Sequence, residues 1–128
     1  MEKIIDEAIK LVAAGELNFL GFVKLLASAD VHCYTVDLET QEVVYYAGTK
    51  SLVRKLGLDP AVISGRFSEA YLKEAITAVQ SKRIAYAEFI KKIAYAGVET
   101  YEVDFKTKKI TYRGRRKSYV EDFVPKIL

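Results

Sequence analysis

His32 and Cys33 are the one histidine and the one cysteine of the chain, and they are adjacent. A thiol beside an imidazole is the starting material of a nucleophile and its base. Neighbours on a strand point to opposite faces, however, so the ring reaches the thiol only across a bulge. Asp37 and Asp104 each precede a threonine by three positions, Thr40 and Thr107. Two such carboxylates could do acid–base work or hold a metal. The same spacing is ordinary hairpin-turn chemistry, in which the aspartate accepts backbone N–H groups. No glycine-rich phosphate loop, zinc-type spacing or serine nucleophile motif occurs. The expectation is therefore no enzyme: no catalytic residue, no metal ligand and no cofactor.

The least ordinary stretch is residues 106–117, with Lys106, Lys108, Lys109, Arg113, Arg115, Arg116 and Lys117 and no acid. A basic hairpin of this kind could neutralise several phosphates of a nucleic acid, weakly and without reading sequence. Tyr112 adds stacking only if it is not buried. Solvated charge that protects a sheet edge gives the same pattern. Tyr34, Tyr45, Tyr101 and Tyr112 fit core positions with hydroxyls at the rim, and a small-molecule ligand is left undefined.

These residues sit in a repeat. A shift of 67 positions aligns residues 3–53 with 70–120 without a gap, and 17 of the 51 pairs are identical. Among them are Glu7, Ala8 and Ile9 with Glu74, Ala75 and Ile76, and Tyr34, Val36 and Asp37 with Tyr101, Val103 and Asp104. Chance would give on the order of a twentieth. Each copy passes from helical to strand periodicity. Ile4, Ile5, Ala8, Ile9 and Val12 form one helical stripe, and Phe19, Phe22, Val23, Leu26 and Ala29 form a second. Tyr34, Val36 and Leu38, then Val43 and Tyr45, alternate as a hairpin. Asp30 and Gly97 follow the second helix of each copy, where a residue tolerant of positive φ is favoured. Residues 54–69 have no counterpart and read as a linker with one helical turn, broken by Gly57, Pro60 and Gly65. Pro125 makes the last residues an extended tail. Cys33, Val44 and Tyr46 share the hairpin's other face, so a cover is expected there from the linker or a second subunit.

At 128 residues and 51% hydrophobic, the chain suits one domain. A single cysteine excludes an internal disulfide, and no apolar run approaches the roughly 18 residues of a membrane span. No signal peptide is visible, so a cytoplasmic protein with no membrane partner is expected. Few Asn and Gln suit a thermophilic source. Net charge divides unevenly: residues 1–67 hold 7 Lys/Arg against 9 Asp/Glu, and residues 68–128 hold 13 against 8.

Phe22 with Ala29-Asp30-Val31, Tyr34-Thr35-Val36-Asp37, Val44-Tyr45-Tyr46, Ala96-Gly97-Val98 and Thr111-Tyr112 make the chain resemble a YbcV-like family of small uncharacterised proteins. Its members are often labelled "phage envelope protein". That family has no established activity, so the resemblance implies no functional residue. The sequence departs from its pattern at Ser81-Lys82 and at Ile90, where a cysteine is common. The fold expected is α+β: a tandem duplication of a helix-helix-hairpin unit, four antiparallel strands with helices on one face, and a pseudo-twofold axis. The function expected is a non-enzymatic interaction or structural module that forms a homo-oligomer. The alternative is a nucleic-acid-binding accessory protein using residues 106–117.

Overall fold

A computed structural model describes residues 1–123, and the tail expected from Pro125 lies outside the described residues. Helices α1 (Glu2–Ala13) and α2 (Phe19–Ser28) precede strands β1 (Cys33–Asp37), β2 (Glu42–Ala47) and β3 (Lys50–Lys55). Helices α3 (Glu69–Gln80) and α4 (Tyr86–Tyr95) precede β4 (Thr100–Asp104), β5 (Lys109–Arg113) and β6 (Ser118–Asp122). The strands form one sheet in the order β3-β2-β1-β4-β5-β6, every neighbouring pair antiparallel. The protein is α+β.

Six strands replace the four expected. The extra pair, β3 and β6, are the sheet edges, and their segments Lys50–Lys55 and Ser118–Asp122 are largely polar. An edge strand needs one partner and tolerates outward charge, so it carries little of the apolar alternation that betrays a central strand. The expected linker is accordingly shorter, since β3 runs through Lys55. No helix forms between β3 and α3.

The bounds of α3, α4 and β4 fall 67 residues after those of α1, α2 and β1. Positive φ recurs at the same offset, at Gly15 and Lys82, Asp30 and Gly97, and Gln41 and Lys108. In the β1–β4 ladder Tyr34 faces Val103, Val36 faces Tyr101, and Thr35 meets Glu102 at the centre. The ladder is extended at both ends by Leu38 N–H donating to Glu99 and Phe105 N–H donating to His32, each at 2.9 Å.

Strand alternation buries Tyr34, Val36, Val43, Tyr45, Tyr101, Val103, Ile110 and Tyr112 in one core with Ile5, Leu26, Leu72, Ile90 and Ile93 of the helices. Truncating a fully buried residue such as Leu26 or Leu72 would cost about 2–5 kcal/mol, a large share of a domain's stability. Asn18 and Ser68 cap α2 and α3 by accepting from the Gly21 and Tyr71 amides at 2.8 and 3.2 Å. Arg54 ties β3 to α1 by bonding Glu2 at 2.6 Å and Asp6 at 2.8 Å, and it holds the Asp6 carboxyl below its usual range. The matching positions in the second half are Glu121, Glu69 and Lys73, where Lys73 instead lies 5.4 Å from the Tyr119 ring.

The sheet's inner face is unusually rich in phenols. The Tyr34 ring lies 5.6 Å from Tyr45, and the Tyr101 ring 5.7 Å from Tyr112. Tyr86 leaves 40% of its surface exposed, but its hydroxyl points inward and shares a short hydrogen bond with the Tyr101 hydroxyl. Tyr112 donates to Glu121 at 3.1 Å. Burial pushes Tyr34, Tyr45, Tyr101 and Tyr112 well above the usual phenol range and Tyr86 up to about 12. A phenol whose pKa is raised by folding stabilises fully below the unfolded value of about 10, and that contribution is lost as pH climbs past it. Tyrosine absorbance at 295 nm should therefore show five phenols ionising only together with loss of the circular dichroism signal, above pH about 10. Smooth ionisation of all nine with the fold intact would contradict this packing.

Candidate functional site

The aspartates at the hairpin turns do local work. Asp37 Oδ1 accepts the Glu39 and Thr40 amides, both at 2.9 Å, and Asp104 Oδ1 accepts Lys106 and Thr107 at 2.9 and 3.1 Å. Burial, then the carboxylates of Glu102 and Asp104, push the Cys33 thiol up. A thiol held protonated in this way is a poor nucleophile.

The sheet divides the basic run. An antiparallel strand of five residues separates its two turns by about 17 Å. Lys106 and Lys108 therefore stand at one end of the sheet, and Arg115, Arg116 and Lys117 stand at the other. Between them, Lys109 pairs with Asp122 at 2.9 Å and Arg113 with Glu102 at 3.4 Å. Tyr112 is 3% exposed, which removes it as a stacking platform. The run is thus three groups rather than one track.

Arg115, Arg116 and Lys117 border a cavity of about 710 Å³ with Glu39, Glu99, Phe67 and Arg66. Three local causes hold it open at this end. The β1–β2 turn bearing Glu39 and the β5–β6 turn meet here because β1 and β4 are antiparallel. Residues 61–67 then cross the same end, fastened to α4 by the Ser64 amide on the Ala94 carbonyl (3.0 Å) and the Ser68 amide on Ala96 (2.8 Å). Two glycines admit that loop. A Cβ on Gly97 (φ +96°) would lie 2.7 Å from the Arg66 carbonyl, and a Cβ on Gly114 would lie 2.6 Å from the Phe67 ring. Among the described residues no ion pair involves Arg66, Arg115, Arg116 or Lys117, in contrast to Arg54, Lys55, Lys109 and Arg113. Sequence reasoning missed Arg66, because a linker without a repeat counterpart gives no hint of where it lands. The signal was Gly97 together with Gly114, which announce close backbone approach but not the partner.

The second candidate is the sheet face turned away from the helices. The central positions of its strands present Val53, Val44, Thr35, Glu102, Thr111 and Val120 in one row. Val53 and Val120 are each 47% exposed, and Cys33, Val44 and Tyr46 are half-buried. The linker does not cover this face as expected: Leu56, Leu58, Ala61, Ile63 and Phe67 pack on the core instead. Leu56 is drawn there because its amide bonds the Gln41 carbonyl at 2.7 Å, continuing the sheet edge toward the helical side.

Residues 54–121, more than half of the chain, match a family described as protein of unknown function, DUF1398. The chain belongs to the DUF1398 family. No curated protein matches it. In this DUF1398 protein the matched span opens within β3 and closes within β6, so it holds Arg66, Phe67, Gly97, Glu99, Arg115, Arg116 and Lys117. Gly97→Ala should lower stability by about 2–4 kcal/mol in urea unfolding, because strain at positive φ adds to the clash with the loop. Gly48→Ala, at φ +62° but with nothing within 4 Å, should lose only about 1 kcal/mol. Equal losses would mean that the loop is not seated on Gly97.

Proposed function

We propose that this protein is a non-enzymatic, cytoplasmic interaction module. It is one domain, 1–128, built by tandem duplication of residues 3–53 and 70–120, and it self-associates through the open face of its sheet. The observation that carries the reading is that face, where Val44, Val53 and Val120 lie on a sheet whose helices all cover the other side. Edge-to-edge pairing is disfavoured at β3, which presents Lys50, Arg54 and Lys55. Within the family we place the chain with the YbcV-like members, on the residues quoted above. No helix among the described residues is long and apolar enough to cross a membrane.

The charges support a second copy as the occupant. A twofold axis running along the strands sets the β2 of one copy over the β5 of the other, without displacing the rows. Val53 then meets Val120, Val44 meets Thr111, and Glu42 meets Arg113. An axis across the strands would oppose Glu102 to itself and Lys109 to Arg113, which is repulsive. Aligned packing of two sheets is an ordinary β-sandwich arrangement.

Nucleic-acid binding by the basic hairpin is the second reading, favoured by Arg115, Arg116 and Lys117, which have no ion-pair partner among the described residues, and weakened by the separation of Lys106 and Lys108 from them. Sedimentation equilibrium should give a dimer, and Glu42→Arg should weaken it about tenfold or more by setting two guanidiniums together. Adding Arg113→Glu should restore it. A monomer at every concentration, or no restoration, would remove the self-association reading. Retention on heparin lost in Arg115→Ser/Arg116→Ser would favour the second.

A further inference from the structure

We propose that the cavity between residues 61–67 and the turn at 114–117 binds a small phosphate monoester. The inference stands independently of self-association, because it uses the end of the sheet and not its open face.

Four cations line it: Arg66, Arg115, Arg116 and Lys117. Arg54, Lys55, Lys109 and Arg113 on the strands are each matched to a carboxylate, whereas these four have no ion-pair partner among the described residues. Guanidinium groups suit a dianionic phosphate because their forked donors match its oxygens. The charge is not a consequence of the fold. At the positions 67 residues earlier, Arg115 and Arg116 are replaced by Gly48 and Thr49, and the β2–β3 turn forms there without them.

A compact ligand fits better than a polymer. A nucleic acid needs cations spaced along a track, and the remaining basic residues of the 106–117 run are either paired on β5 or at the far end of the sheet, about 17 Å away. A volume of about 710 Å³ lies within the range of small-molecule sites. Its walls are also mixed. Phe67, Ala61 and Ile63 give it an apolar side, and Glu39 and Glu99 offer acceptors to the hydroxyl groups of a ligand body. The crossing loop that lines it belongs to the unduplicated linker, and among the described residues the opposite end of the sheet has no counterpart of Arg66 or Phe67.

The test is titration of the full chain at low salt with inorganic phosphate and with phenyl phosphate, followed by phosphorus NMR and calorimetry. Saturable binding of both is expected, with phenyl phosphate about tenfold tighter through the apolar wall. Arg66→Ser and Arg116→Ser should each weaken phenyl phosphate about tenfold or more, with circular dichroism unchanged. Lys106→Ser/Lys108→Ser, at the far end, should leave it within about twofold. The proposal is overturned if neither probe saturates, if the Lys106 and Lys108 variant loses binding as much as the arginine variants, or if a single-stranded oligonucleotide binds the same arginines much more tightly than phenyl phosphate.

Discussion

Thr35 and Glu102 face each other at the middle of the ladder that joins the two halves of the sheet, and most of the architecture depends on that register. Because β1 and β4 run antiparallel, each half places its first hairpin turn beside the other half's helix-to-strand junction. Tyr34 and Tyr101 become near neighbours of the seam, and their hydroxyls share one buried region with Tyr45, Tyr86 and Tyr112. A slip of β4 by one residue against β1 would turn Tyr101 and Val103 out of the core and bring Glu102 in. The cost of burying Glu102 without a partner alone makes that register untenable.

The same seam explains why two similar halves give two dissimilar ends. One end carries Gly48, Thr49 and Lys106, and the other carries Arg115, Arg116, Lys117 and Glu39. The connection from β3 to α3 must cross the molecule, and it passes the second of these. Gly97 and Gly114 lie where a side chain would block it. An arginine cluster with no ion-pair partner among the described residues raises self-repulsion, which is the physical ground for the proposed site.

Much of this was legible in the sequence. Helical stripes gave α1 to α4, and alternation gave β1, β2, β4 and β5 with the faces the structure shows. The Asp37 and Asp104 turns followed from the side chain's habit of bonding the amides two and three residues on. The edge strands were not legible, because Lys50–Lys55 and Ser118–Asp122 lack a strong apolar period. The basic cavity was half legible. Composition marks residues 106–117, but strand reversal decides which of those charges meet, and Arg66 arrives through a contact that no local pattern encodes. Gln41 is likewise opaque to sequence: it takes positive φ, is buried, and bonds the Leu38 carbonyl through its own amide nitrogen at 3.1 Å.

The seam is tested most directly by native-state hydrogen exchange. If β1 and β4 unite the halves into one cooperative unit, the amides of Tyr34, Val36, Tyr101 and Val103 should exchange last, with one shared free energy equal to that of global unfolding. Exchange of residues 33–55 and residues 100–122 at two separate free energies, with the β1 and β4 amides among the first to open, would contradict it.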